Sequence, residues 1–206
     1  MPARGSHPPG TFWYYNNWDF NALGTIFERQ LNKRIGQAFR EDIASPTKMQ
    51  DFHVEDMYYV RATETSEAFE KSIHPGYQFR LTARDMARFG YLFLRNGQWN
   101  GVQVIPKSWV LESTRSYSDA GNGFGYGYLW WVNGYGLPIS CFSARGALGK
   151  YIVVVPERDL VVAFVNHTEF PDTYQAMPEA EVKRLPNVSA SEMGKLLNLL
   201  LVAQRP

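Results

Sequence analysis

Leu148-Gly149-Lys150-Tyr151-Ile152-Val153-Val154-Val155-Pro156-Glu157-Arg158-Asp159-Leu160-Val161-Val162-Ala163-Phe164-Val165 holds two apolar runs separated by four turn-forming residues. β-Branched side chains dominate both runs, and Pro156 to Asp159 is too short for anything but a tight connection. The pattern predicts an antiparallel pair, Leu148 to Val155 with Leu160 to Val165. Ile152 to Val155 and Leu160 to Ala163 are apolar at every position, without the alternation of a half-exposed strand. Strands of that kind are covered on both faces, here by helices.

Working outward, Ser189-Ala190-Ser191-Glu192 is a capping box opening a last helix that presents Met193, Leu196, Leu197 and Leu200. On the N-terminal side, Tyr126 to Val132 reads as one strand and Ser140 to Ser143 as the start of another. Trp130 and Trp131 are adjacent, so alternation puts one in the core and the other on a surface. Pro106 opens a short helix to about Ser113, and Trp99-Asn100-Gly101-Val102 is a tight Asn-Gly hairpin. Thr82-Ala83-Arg84-Asp85 resembles a capping box with Asp in the Glu position. Its helix buries Met86, Phe89, Leu92 and Phe93 and stops at Asn96-Gly97. Ser45 to Phe79 shows little period and reads as a long excursion with at most short helices. A helix over Gln37 to Ala44 precedes it. Before that, Phe20, Leu23, Phe27 and Leu31 mark the buried face of a helix from about Asp19 to Asn32, capped by Asn17. The order is helices, then antiparallel strands, then a terminal helix, which is an α+β arrangement of an antiparallel sheet flanked by helices. About 9–110 forms a mostly helical region and about 124–206 the strands and terminal helix.

Composition narrows the function. The 206 residues carry 21 Lys+Arg against 20 Asp+Glu, so the formal net charge is +1. That balance lacks the electrostatic footprint of a nucleic-acid binder. The one cysteine, Cys141, excludes an internal disulfide and any multi-cysteine metal site. No apolar run approaches the roughly 18 residues of a membrane span. Asp51 and His53 lack a third ligand, so neither a metal site nor an ordinary catalytic triad is indicated, and no cofactor is implied. His167, after the second apolar strand, reads as a strand-end histidine. Compartment is left open.

The densest chemical feature is Pro9-Gly10-Thr11-Phe12-Trp13-Tyr14-Tyr15-Asn16-Asn17-Trp18-Asp19-Phe20-Asn21-Ala22-Leu23-Gly24. One reading is an aromatic loop closing onto a helix. The other is a resemblance to the Tyr-x-Asn element of the serine β-lactamase and penicillin-binding-protein superfamily. It is the class C-like branch, including 6-aminohexanoate-dimer hydrolases, that the segment resembles most. Family members follow a Pro-Gly turn with Tyr-Ser-Asn and then a helix carrying Leu-Gly six and seven residues after the Asn. That spacing from Asn17 to Leu23 and Gly24 selects Tyr15 and Asn17. Pro46-Thr47-Lys48-Met49-Gln50-Asp51 is similar to the family's Pro-Leu-Gly-Met-x-Asp stretch, departing from it at Thr47 and Lys48. Leu81 to Gly90 resembles the helix that follows. The Lys-Thr-Gly or His-x-Gly strand is matched by Ala144-Arg145-Gly146, which lacks the usual cation and hydroxyl.

The resemblance implies a β-lactamase/transpeptidase-like fold, here incomplete, and a serine hydrolase acting through an acyl-enzyme on a small-molecule amide, ester or β-lactam. Tyr15 would shuttle a proton, aided by a neighbouring lysine, and Asn17 would hydrogen-bond substrate and lysine. The Ala147 N–H would form half of an oxyanion hole. Ala144, Arg145, Gly146 and Trp130 would line the substrate site, Gly146 by close approach and Arg145 as a cation for a carboxylate. The family nucleophile, Ser-x-x-Lys, lies far before Tyr-x-Asn, and the 14 residues before Tyr15 hold none. Ser45-Pro46-Thr47-Lys48 matches the pattern but lies after Tyr15, inside the segment already matched to another element. His74-Pro75-Gly76 fails as the strand motif because Pro cannot donate to a central ladder. The reading is therefore a C-terminal portion of such a domain, inactive alone, completed by a missing N-terminal segment or another chain. The alternative is a non-catalytic homologue or fragment that keeps a binding cleft.

Overall fold

A computed structural model describes residues 2–60, 72–166 and 185–204; His167 lies outside them. The chain divides into two compact units. The first comprises Met1–Tyr15, Met86–Val165 and Asn187–Pro206, the second Asn16–Asp85 and Asn166–Pro186.

The first unit is built on a six-stranded antiparallel sheet. In chain order its strands are β5 (Ser118–Gly121), β6 (Phe124–Tyr126), β7 (Trp131–Asn133), β8 (Phe142–Gly146), β9 (Lys150–Val155) and β10 (Leu160–Phe164). They lie side by side in that sequence, from β5 at one edge to β10 at the other. The predicted pair is present as β9 and β10, with Leu160 opposite Val155 and Phe164 opposite Tyr151. The predicted strand Tyr126 to Val132 is instead two strands. Gly127 N–H donates to the Trp130 carbonyl and Leu129 takes φ 64°, so the chain reverses between β6 and β7. Strand β5 is polar and carries a register shift at Asp119/Gly121, which is why it has no apolar signature.

Directly opposed residues share a face. Ser143 and Arg145 therefore point the same way as Val153 and Tyr151, while Ala144 and Gly146 share the other face with Ile152 and Lys150. The helix Ala190–Ala203 covers the first face. Ser189 accepts from the Glu192 N–H and Glu192 returns to the Ser189 N–H, completing the predicted box. Met193, Leu197 and Leu201 meet Val153 and Val155 there, and all five are buried. Residues Met86 to Leu94 of the helix Ala83–Leu94 cover the second face from within this unit. A Cβ on Gly90 would lie 2.6 Å from Val161 Cγ1 and 2.8 Å from Ile152 Cγ2, so glycine permits that close approach. Phe89, Phe93 and Phe142 pack around Trp130 on the same side. The Asn-Gly hairpin joins β3 (Gln98–Trp99) to β4 (Val102–Gln103), with Asn100 and Gly101 both at positive φ. A short helix follows over Lys107–Ser113.

Cys141 sits at the entrance to β8, 2% exposed. Burial pushes its thiol up to about 11. At pH 8 only about one molecule in a thousand would then hold the reactive thiolate. Alkylation of native chain by iodoacetamide at pH 8 is expected to run at least about 100-fold slower than in denaturant. Rates within a few-fold of each other would contradict this packing.

The second unit begins with the helix Asn17–Leu31. Its cap is Asn16, whose side chain accepts from the Trp18 N–H, not Asn17 as predicted. The expected buried face is also rotated: Gly24 is buried, whereas Leu23, Ile26 and Leu31 are exposed. A second helix, Ile35–Phe39, runs on through a π turn at Arg40–Ala44. The excursion after it contains a hairpin the sequence concealed, β1 (Met57–Val60) with β2 (Gly76–Phe79). Each strand is only four residues long, and the pair is separated by a polar stretch. Phe52, Met57 and Ala44 form a small core with Phe39, Tyr77 and Phe79 against it.

Asp85 organises the loop between these pieces. It is fully buried, and its carboxylate accepts from the N–H groups of Gln50 (3.1 Å), Asp51 (2.9 Å) and Phe52 (3.0 Å). Thr82 Oγ1 accepts from the Asp85 N–H, as the predicted cap requires. Asp51 in turn accepts from Thr82 Oγ1 at 2.6 Å and pairs with Arg84. Pro46–Asp51 and the Leu81–Asp85 start of the other matched stretch are thus tied to each other within the second unit by charge-assisted hydrogen bonds.

Candidate active site

The β8 strand ends in a tight turn, Ala147-Leu148-Gly149, that returns the chain into β9. Leu148 and Gly149 both take positive φ, 61° and 78°. Strand β7 pairs with β8 only through Trp131–Ser143 and Val132–Phe142. Its ladder therefore stops short of Ala144-Arg145-Gly146, leaving that side of the strand open beside the turn. Ala147 is exposed at the strand end.

Tyr15 reaches this neighbourhood from the N-terminal segment. Its ring stacks on Trp131 with centroids 5.8 Å apart, and meets Tyr126 edge-on at 6.5 Å. Trp13 joins the cluster against Tyr126 (5.2 Å) and Trp131 (5.6 Å). The turn that admits the segment is the expected Pro-Gly one, with Gly10 at φ 79° and the Thr11 N–H donating to the Pro8 carbonyl. Burial raises the Tyr15 phenol above its ordinary value, and the Arg145 cation works against that rise.

Arg145 lies among aromatic rings. Its guanidinium carbon is 4.6 Å from the Trp131 ring centre, 4.7 Å from Phe124 and 5.9 Å from both Tyr135 and Tyr151. Tyr135 donates to or accepts from Ser143 Oγ at 2.9 Å, and burial pushes its phenol up to about 12 against the pull of Ser143 and Arg145. Tyr15, Ala144, Arg145, Gly146 and Ala147 all belong to the first unit, where the Tyr15 phenol feels the Arg145 cation. Asn17 falls just across the division, in the second unit.

One predicted position changes. Trp130, expected in the cleft, is 6% exposed and belongs to the core; Trp131 takes its place beside Tyr15. Ser45, set aside as a nucleophile, follows the π turn, and Lys48 sits at φ 54°. Lys150 escaped the sequence reading. The β8–β9 register puts it opposite Gly146, and its Nζ donates to the Ala147 carbonyl at 3.3 Å. Burial lowers its ammonium pKa. The hairpin register alone would have pointed to it. Among the described residues no three His, Cys, Asp or Glu side chains gather as a metal site needs, and no helix is long and apolar enough to cross a membrane.

Solved structures share the fold. A protein described as a 6-aminohexanoate-dimer hydrolase from Bacillus anthracis superposes with a TM-score of 0.64 at 24% identity, over 98% of this chain and 47% of its own. An octameric penicillin-binding protein homologue from Pyrococcus abyssi gives 0.63 at 20% identity, over 95% and 44%. A penicillin binding protein from Bacillus halodurans gives 0.56 at 14%, over 95% and 57%. The chain thus spans about half the length of these relatives. No curated protein matches it. The β-lactamase family model matches residues 3–184, which takes in the Pro-Gly turn, Tyr15, the Asp85 clasp and the β8–β10 sheet. The mixed antiparallel-sheet architecture is β-lactamase/transpeptidase-like, and the chain belongs to the β-lactamase family.

Proposed function

We propose that this chain supplies part of the acyl-transfer site of a serine hydrolase, and that the nucleophile lies on polypeptide outside it. The substrate is a small-molecule amide, ester or β-lactam. The serine Oγ attacks the carbonyl carbon, the C–N or C–O bond breaks, and the serine proton passes to the leaving group. Water then cleaves the acyl-serine ester. Tyr15 carries the proton, the Ala147 N–H takes one side of the oxyanion, and Arg145 and Gly146 hold the substrate along β8.

The observation that carries this reading is the placement of Tyr15 beside Arg145 where the β7 ladder stops along β8, in a chain of this family. Two further features support it. Tyr15's phenol is raised by burial, so a second cation such as the lysine of Ser-x-x-Lys is needed to bring it into range. Leu23, Ile26 and Leu31 leave an apolar stripe exposed on the first helix, as a surface awaiting more polypeptide does.

The test is hydrolysis by a polypeptide joining this chain to a Ser-x-x-Lys segment of the family, with an amide, an aryl ester and a β-lactam in parallel. Tyr15→Phe is expected to lower kcat by about 100-fold or more with KM little changed. Unchanged kcat would remove Tyr15 from the mechanism. Absence of turnover in the joined protein would favour a non-catalytic homologue with a binding cleft.

A further inference from the structure

On the face of the sheet covered by the terminal helix lies an open cleft of about 730 Å³, a size suited to a small organic ligand. Its walls include Trp13, Phe124 and Trp131 from the sheet side. Ser191, Gly194, Lys195 and Asn198 line it from the helix, at the i, i+3, i+4, i+7 spacing of one helical stripe. The site needs Gly194: a Cβ there would stand 2.6 Å from the Tyr135 carbonyl oxygen.

Two cations face this cleft, Arg145 from β8 and Lys195 from the helix, and among the described residues no carboxylate lines it. Arg145 is half-buried within four aromatic rings, and among the described residues no acid pairs with it. A guanidinium withdrawn from water normally has an anionic partner. Glu192, one turn before Lys195, is held by the helix cap through the Ser189 N–H and Oγ at 2.8 and 2.7 Å. Among the described residues Arg145 thus has phenolic and aromatic neighbours, with a hydrogen bond to Tyr151, and no carboxylate.

We propose that this cleft binds a flat aromatic carboxylate. The ring lies along Trp13 and against the edge of Trp131, and the carboxylate bridges Arg145 and Lys195, with Asn198 at its edge. Arg145 is shared with the hydrolase reading, but Lys195 and Asn198 take no part in it, and binding is read without turnover. A failed Tyr15→Phe test therefore leaves this site standing, and failure here leaves the hydrolase reading untouched.

The probe is 2-naphthoate, with neutral 2-naphthamide as its isostere, titrated calorimetrically into the full chain. The carboxylate is expected to bind saturably, and the amide about tenfold or more weaker. Lys195→Gln, at an exposed position that leaves the fold intact, should weaken naphthoate several-fold without changing naphthamide. Raising salt should act in the same direction, on naphthoate alone. Arg145→Gln should abolish the preference for the charged probe. Equal affinity for the two probes, no saturable heat with naphthoate, or unaltered naphthoate binding in Lys195→Gln would each overturn the assignment.

Discussion

Replacing Asp85 with alanine is expected to destabilise the chain by about 3–4 kcal/mol in a denaturant titration. The side chain is fully buried and accepts three backbone N–H groups from Gln50, Asp51 and Phe52. Removing it strands all three donors, each at a cost of about 1–3 kcal/mol, reduced here where the loop is open to water. Asp85→Asn keeps one acceptor oxygen and should lose roughly half as much. The pair of variants separates lost hydrogen bonds from lost volume. A shift below about 1 kcal/mol in Asp85→Ala would mean that the loop at 50–52 is not held by this residue.

Leu197→Ala is expected to cost about 2–5 kcal/mol. Leu197 is 0% exposed and packs with Met193 and Leu201 against Val153 and Val155, so truncation opens a cavity in the middle of the larger core. Leu199, two residues on, is 69% exposed and supplies the control. Leu199→Ala should fall within about 0.5 kcal/mol of the parent chain. Similar losses from the two substitutions would show that the helix does not present the Leu197 face to the sheet.

The sheet was legible where local signals agreed. Ile152 to Val155 and Leu160 to Ala163 are β-branched, apolar on both faces and joined by a turn. The last helix has both a capping box and a stripe. Strand β5 was not legible, because Ser118-Asp119-Ala120-Gly121 is a half-exposed edge that buries little. The hairpin of Met57–Val60 with Gly76–Phe79 was hidden for a different reason. Its strands pair across a long insertion, and no local period reports such pairing. The first helix shows the limit of periodicity itself. Phe20, Leu23, Phe27 and Leu31 define a stripe, yet Leu23 and Leu31 face outward here.

The candidate site divides in the same way. Tyr15 and Ala144-Arg145-Gly146 came from motif order, and all belong to the first unit. Alternation required one of Trp130 and Trp131 in the core but could not choose, and packing against Phe93 and Phe142 chose Trp130. Lys150 depends on a hairpin register and Lys195 on how a helix lies across a sheet. Neither relation is written in neighbouring residues.

We propose that this chain carries the proton-transfer and substrate-binding side of a β-lactamase-like site without its nucleophile. Intact mass measurement after incubating the chain alone with a fluorophosphonate and with a penicillin tests it most directly. The predicted result is an unchanged mass with both reagents. A stoichiometric adduct mapped to any serine of the chain, Ser45 above all, would contradict it.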